Sequence, residues 1–108
     1  MRLKKIEPTV VIYNSLIRVY ANACLIERVT EEARGLMLVD TWKLLEEVIQ
    51  KGMVDTGILN NVMLVYGNAL QEEKIEGLIL PLFDKFGLVM DGFSYEILMG
   101  VYYRRKDF

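Results

Sequence analysis

The chain has 108 residues, 53% of them hydrophobic, a formal net charge of −2, one cysteine and no histidine. That length allows one small domain or a short run of repeats. The missing histidine removes most catalytic and metal-site templates, and the slightly acidic balance argues against an indiscriminate polyanion binder. No run of roughly 18 apolar residues occurs, so no membrane span is expected. Cys24 has no partner for an internal disulfide, which fits a reducing compartment. Between Ala23 and Leu25 it reads as a packed small hydrophobe rather than a reactive thiol.

Pro8 and Thr9 form a plausible helix start, because proline suits the first turn and threonine caps it. From Val10 to Ala23 the apolar residues Tyr13, Leu16, Ile17, Tyr20 and Ala21, followed by Cys24, fall at three- and four-residue spacing. That period predicts an amphipathic helix, with Asn14, Arg18 and Asn22 on its other face. Leu25 to Gly35 keeps the helical phase through Leu25, Val29, Ala33 and Leu36. It is expected either to lengthen the helix before it or to form a short helix ending at Gly35.

Asp40 and Thr41 predict a cap for a helix from Trp42 to Lys51, with Trp42, Leu45, Val48 and Ile49 inward and Gly52 as its stop. Met53 to Asp55 is a short connector. Helices are expected over Thr56 to Leu70 and Glu72 to Phe86, the latter stopped by Gly87 and kinked or broken at Pro81. Leu88 to Asp91 is a second connector, and a last helix runs from Gly92 to about Arg105. No segment alternates with period two, so no strand is expected.

The helix from Val10 to Ala23 recurs. Thr56 to Ala69 repeats it, with Asn60, Val65, Tyr66, Asn68 and Ala69 on identical residues, and Gly92 to Tyr102 begins it a third time. Self-similarity at a period of a few tens of residues is the signature of stacked repeats. The expected fold is all-α, an α-solenoid of antiparallel helix pairs with about two and a half repeats. Repeat 1 spans about 10–55 with an inserted segment at 25–35, repeat 2 about 56–91, and the first helix of repeat 3 about 92–106. The hydrophobic excess suits a piece of a longer array, or a chain whose apolar ends are covered by further repeats or protein partners.

These residues resemble pentatricopeptide repeat proteins. The family opens each repeat with a valine-rich start, an aromatic, an asparagine and a Leu-Ile pair, as in Val10-Val11-Ile12-Tyr13-Asn14-Ser15-Leu16-Ile17. Its second helix closes on Lys-Gly after a Leu-Phe-Glu-Glu-Met-like run, as in Leu44 to Gly52 and, more loosely, Leu82 to Gly87. Its connector ends in aspartate, here Asp55 and Asp91.

The resemblance implies a non-catalytic, cofactor-free module that reads single-stranded RNA one base per repeat in mitochondria or chloroplasts. The base-reading pairs carried onto this chain are Asn14 with Asp55 and Asn60 with Asp91, a combination that favours uridine. The stacking wall would come from Val11 and Phe93, with Gly57 at the intervening position. Phosphate contacts would come from Arg18, Arg104 and Arg105. Asn22 and Asn68 stand where the family often has lysine, and Glu96 holds the third reader position. A second function class therefore stays open: a structural repeat in a large organellar assembly such as a mitochondrial ribosome, held mainly by protein contacts.

Overall fold

The computed structural model describes residues 9–25 and 30–105, the last two by backbone alone. Five helices follow one another among them. They are α1 (Val10–Ala23), α2 (Glu31–Gln50), α3 (Thr56–Asn68), α4 and α5 (Gly92–Arg105). The α4 rod is continuous but not uniform: Glu72–Lys74 is α-helical, Ile75–Ile79 is π-helical and Leu80–Lys85 is α-helical again. The all-α expectation holds, and no strand occurs among the described residues.

Side chains cap three helix starts. Thr9 accepts from the Ile12 amide at 3.4 Å, Thr30 from Ala33 at 3.0 Å, and Asp55 from Ile58 at 2.7 Å. At the start of α5, Asp91 and Ser94 each accept from the other's backbone N–H, at 2.9 and 3.0 Å. Such reciprocal bonds satisfy amides that the helix itself leaves without partners.

Three helix ends share one closing pattern. The third residue after the helix body bonds back across the last turn: Met53 N–H to Val48 O, Gln71 N–H to Tyr66 O, and Leu88 N–H to Phe83 O. Each closure needs the residue before it in the left-handed region. Gly52 and Gly87 fill that role at φ +68° and +64°. Leu70 fills it at φ +60° with a side chain attached.

The centre of the fold is α3, ten of whose thirteen residues are buried. It packs against α1, α2, α4 and α5, so its opposite faces are both covered. The three helices that share the sequence repeat therefore form a wall in the order α1, α3, α5, with α3 touching both neighbours. The core runs through Tyr13, Ile17, Leu45, Val48, Ile58, Leu59, Val62, Met63, Ile75, Ile79 and Phe83. Each such side chain contributes roughly 1.5–3 kcal/mol by leaving water.

Four expectations need correction. Leu16 is exposed, because the α1 stripe that is buried narrows to Tyr13, Ile17, Ala21 and Cys24. Asp40 and Thr41 cap nothing; they lie mid-way along α2, which starts ten residues earlier at Thr30. The segment expected to extend the first helix or to stop at Gly35 instead extends the second from Glu31 onward, and Gly35 lies inside it. Residues 26–29 of that segment lie outside the described ones. At Pro81 the chain neither stops nor breaks. The widened turn immediately before it absorbs the ring and the missing donor, and its Leu80 N–H reaches back five residues to Ile75 O.

Candidate nucleic-acid interface

The wall of first helices carries a row of polar side chains, and the packing of α1, α3 and α5 decides which of them meet. At the α3–α5 step, Asn60 Nδ2 donates to Asp91 Oδ1 at 3.0 Å, and Asn60 Oδ1 accepts the Ser94 hydroxyl. Asn60 is 1% exposed, and Ser94 is fully buried. The Asn60 amide thus has a partner at both its nitrogen and its oxygen. The hydrogen bonds from the Ser94 backbone and from Asn60 hold the Asp91 carboxyl below its ordinary value of 3.8, since bonds to the charged form favour it.

At the α1–α3 step the chemistry is similar and the partner differs. Asn14 Oδ1 accepts from Asn61 Nδ2 at 2.6 Å, and Asn61 Oδ1 accepts from Arg18 Nη1 at 3.0 Å. The Arg18 guanidinium lies 5.6 Å from the centre of the Phe93 ring on α5. Deeper in the same step, Asn68 Nδ2 donates to the Ala21 carbonyl at 2.8 Å. Asn14 and Asn60 each fasten their own first helix to the next one.

Of the two expected reading pairs, Asn60 and Asp91 come together, whereas Asn14 bonds Asn61 and Asp55 is taken up by its cap on α3. Of the expected stacking residues, Val11 is exposed, and Phe93 is part-covered by Arg18. Phe93 also borders a cavity of about 290 Å³ with Leu64, Glu96, Ile97 and Gly100. Arg18 points along the wall, engaged with Asn61. The side chains of Arg104 and Arg105 lie outside the described residues.

Compared with known protein families, with curated proteins and with solved structures, the chain matches none. Its chemistry is read from its own side chains. Among the described residues no cluster of His, Cys, Asp and Glu suits a metal ion, and no helix is long and apolar enough to cross a membrane. Cys24 is buried, and burial pushes its thiol pKa up, which disfavours the reactive thiolate.

Two residues that matter here were not singled out from the sequence, Asn61 and Ser94. A signal existed for Ser94, because Asp followed three residues later by a hydroxyl side chain at a helix start favours a reciprocal cap. For Asn61 none existed, since an asparagine beside a reading asparagine looks like any exposed helix residue.

Proposed function

We propose that this chain is a non-catalytic helical-repeat module of the pentatricopeptide type, its antiparallel pairs stacked as an α-solenoid, that holds single-stranded RNA along the wall of α1, α3 and α5. The observation that carries the reading is the Asn60–Asp91 hydrogen bond. Two residues 31 positions apart meet side chain to side chain, as a base-reading pair must. An asparagine amide oriented by a carboxylate can present donor and acceptor to a pyrimidine edge, so uridine is the preferred base. Arg18 would meet phosphate, helped by Arg104 and Arg105. With so few cations, binding is weak and falls with salt. The resemblance adds a site of action in mitochondria or chloroplasts.

One observation favours a second reading, that of a scaffold repeat held by protein contacts in a large organellar assembly. The Asn60 amide is buried with both ends bonded, so a base must displace Asp91 or Ser94 from it.

Fluorescence anisotropy with oligouridine and oligoadenine separates the two. The RNA reading expects tighter binding of oligouridine, a steep salt dependence, and a preference ratio that collapses to one in the Asn14→Ala, Asn60→Ala double variant, with helicity followed by circular dichroism. Equal affinity for both oligonucleotides, or a ratio untouched by the double variant, overturns it in favour of the scaffold.

A further inference from the structure

Two adjoining cavities lie along α2, in the middle of the described chain. The larger, about 550 Å³, is walled by Leu38, Val39 and Trp42 of α2, Tyr66 of α3 and Leu78 of α4. The smaller, about 440 Å³, lies between the start of α2 and the turn after α3, where Arg34 faces it together with Leu70 and Gln71. Gly35 and Leu38 line both, so the two form one trough, apolar at one end and polar at the other. Each volume falls within the roughly 300–1,000 Å³ of small-molecule sites.

Three features of the trough have no explanation in the packing of the chain. Gly35 lies inside α2, where glycine weakens a helix relative to alanine. A Cβ there would meet nothing within 4 Å, so crowding does not demand the glycine; its bare backbone keeps the junction of the two cavities open. Arg34 Nε is shut off from solvent and has no hydrogen-bond partner among the described residues. A desolvated donor on a charged group is costly to leave unmatched. Leu70, at the lip of the smaller cavity, holds the left-handed backbone that its sister turns give to glycine, and such strain collects at ligand sites.

We propose that this trough binds a small amphipathic carboxylate of the fatty-acid class, its alkyl chain against Leu38, Val39, Trp42 and Leu78 and its carboxylate on the Arg34 guanidinium. An alkyl chain takes the apolar walls out of water, and a guanidinium fork takes a planar carboxylate through two parallel N–H···O bonds. Glu31 also lines the smaller cavity, which favours a singly charged head over a phosphate. Lys43, Lys74 and Glu46 border the larger cavity in exposed positions, where water screens them, so the anchor is Arg34. The proposal is independent of the RNA reading: Arg18, Asn60 and Asp91 line neither cavity.

Trp42 is the one tryptophan of the chain, so its emission reports occupancy of the trough directly. The test titrates the whole chain with decanoate below its micellar concentration, and with decanol as the uncharged counterpart. The expected result is a saturable change in Trp42 emission with decanoate, with roughly tenfold or weaker binding of decanol and of decanoate to Arg34→Gln. Glu31→Gln, which removes the carboxylate at the smaller cavity, tightens decanoate binding. Gly35→Leu fills the junction and weakens binding by a similar factor while raising helix propensity, so its loss of binding is not a loss of fold; circular dichroism checks this. Leu16→Asp on α1, far from the trough in the lining, leaves binding unchanged. No saturable change, equal binding of decanol, or native affinity in Arg34→Gln or Gly35→Leu overturns the proposal. A chain that binds decanoate yet shows no base preference keeps this site and loses the RNA reading.

Discussion

Asn60 joins two consecutive first helices, with its amide nitrogen 3.0 Å from Asp91 Oδ1 and its amide oxygen on the Ser94 hydroxyl. In that buried position both its nitrogen and its oxygen are bonded to α5 and its cap. Truncation to Asn60→Ala removes the partner of a buried hydroxyl and of a capping carboxylate. A loss of about 2 kcal/mol is expected, measured as a lower urea midpoint. Asn60→Asp should cost more at neutral pH, since it sets a second carboxylate against Asp91, and the difference should shrink as the solution is acidified.

The Asp91 carboxyl titrates below its ordinary value, first because of the Ser94 backbone bond and then because of Asn60. Between the native pKa and the ordinary value of 3.8, the unfolded chain binds more protons than the folded one, so stability rises with pH there. The contribution is complete above the ordinary value and is lost as pH falls through the native one. Thermal unfolding of the native chain and of Asp91→Asn across this acid range checks it. The native chain should lose stability relative to the variant as pH drops, and parallel curves would show that Asp91 is not the group responsible.

Leu70 adopts φ +60° at the turn after α3, where the two sister turns use glycine. An L residue there costs roughly 1–2 kcal/mol relative to right-handed backbone, and the side chain is 56% exposed, so little burial offsets it. Leu70→Gly is expected to stabilise the chain by about 0.5–1 kcal/mol, read as a higher melting midpoint. A destabilised variant would mean that the Leu70 side chain contributes packing that outweighs its backbone strain.

Thr41 is buried in the middle of α2, and its hydroxyl finds no partner among the described residues. Thr41→Val replaces that hydroxyl by a methyl of similar shape and keeps the β-branch. A gain of about 1 kcal/mol is expected. Urea unfolding of the two proteins decides the sign.

The parts legible from sequence were those written in local residues. Thr9 and Asp55 cap as their positions suggest, and Gly52 and Gly87 close their helices in the left-handed conformation. Tyr13, Ile17 and Ala21, from the stripe read at three- and four-residue spacing, are buried. The failures have one physical character. Asp40 and Thr41 have good capping chemistry, but α2 already had a cap at Thr30, and a helix in progress has no vacant amides for a second one. Leu16 is apolar and helical in phase, yet exposed, because a repeat helix is covered only where a neighbour exists. The end of α3 had no glycine to announce it, and Leu70 bears the strain instead.

Of the candidate residues, the sequence pointed to Asn60 and Asp91 but not to Asn61 or Ser94, and it did not give the wiring. Asn60 and Asp91 meet as their repeat positions imply. Asn14 reaches Asn61 rather than Asp55, because α1 and α3 lie close enough for a direct side-chain bond at the register one residue beyond the repeat match. No local pattern in the sequence encodes that distance.

Side-chain amide contacts measured by nuclear Overhauser spectroscopy test most directly whether α1, α3 and α5 lie side by side in repeat register. The Asn61 amide protons should show cross-peaks to the Asn14 side chain, and the Asn60 amide protons to the Ser94 side chain, as the 2.6 Å bond and its counterpart on α5 require. An Asn14 side chain with cross-peaks to α2 and none to α3 would contradict the wall and everything built on it.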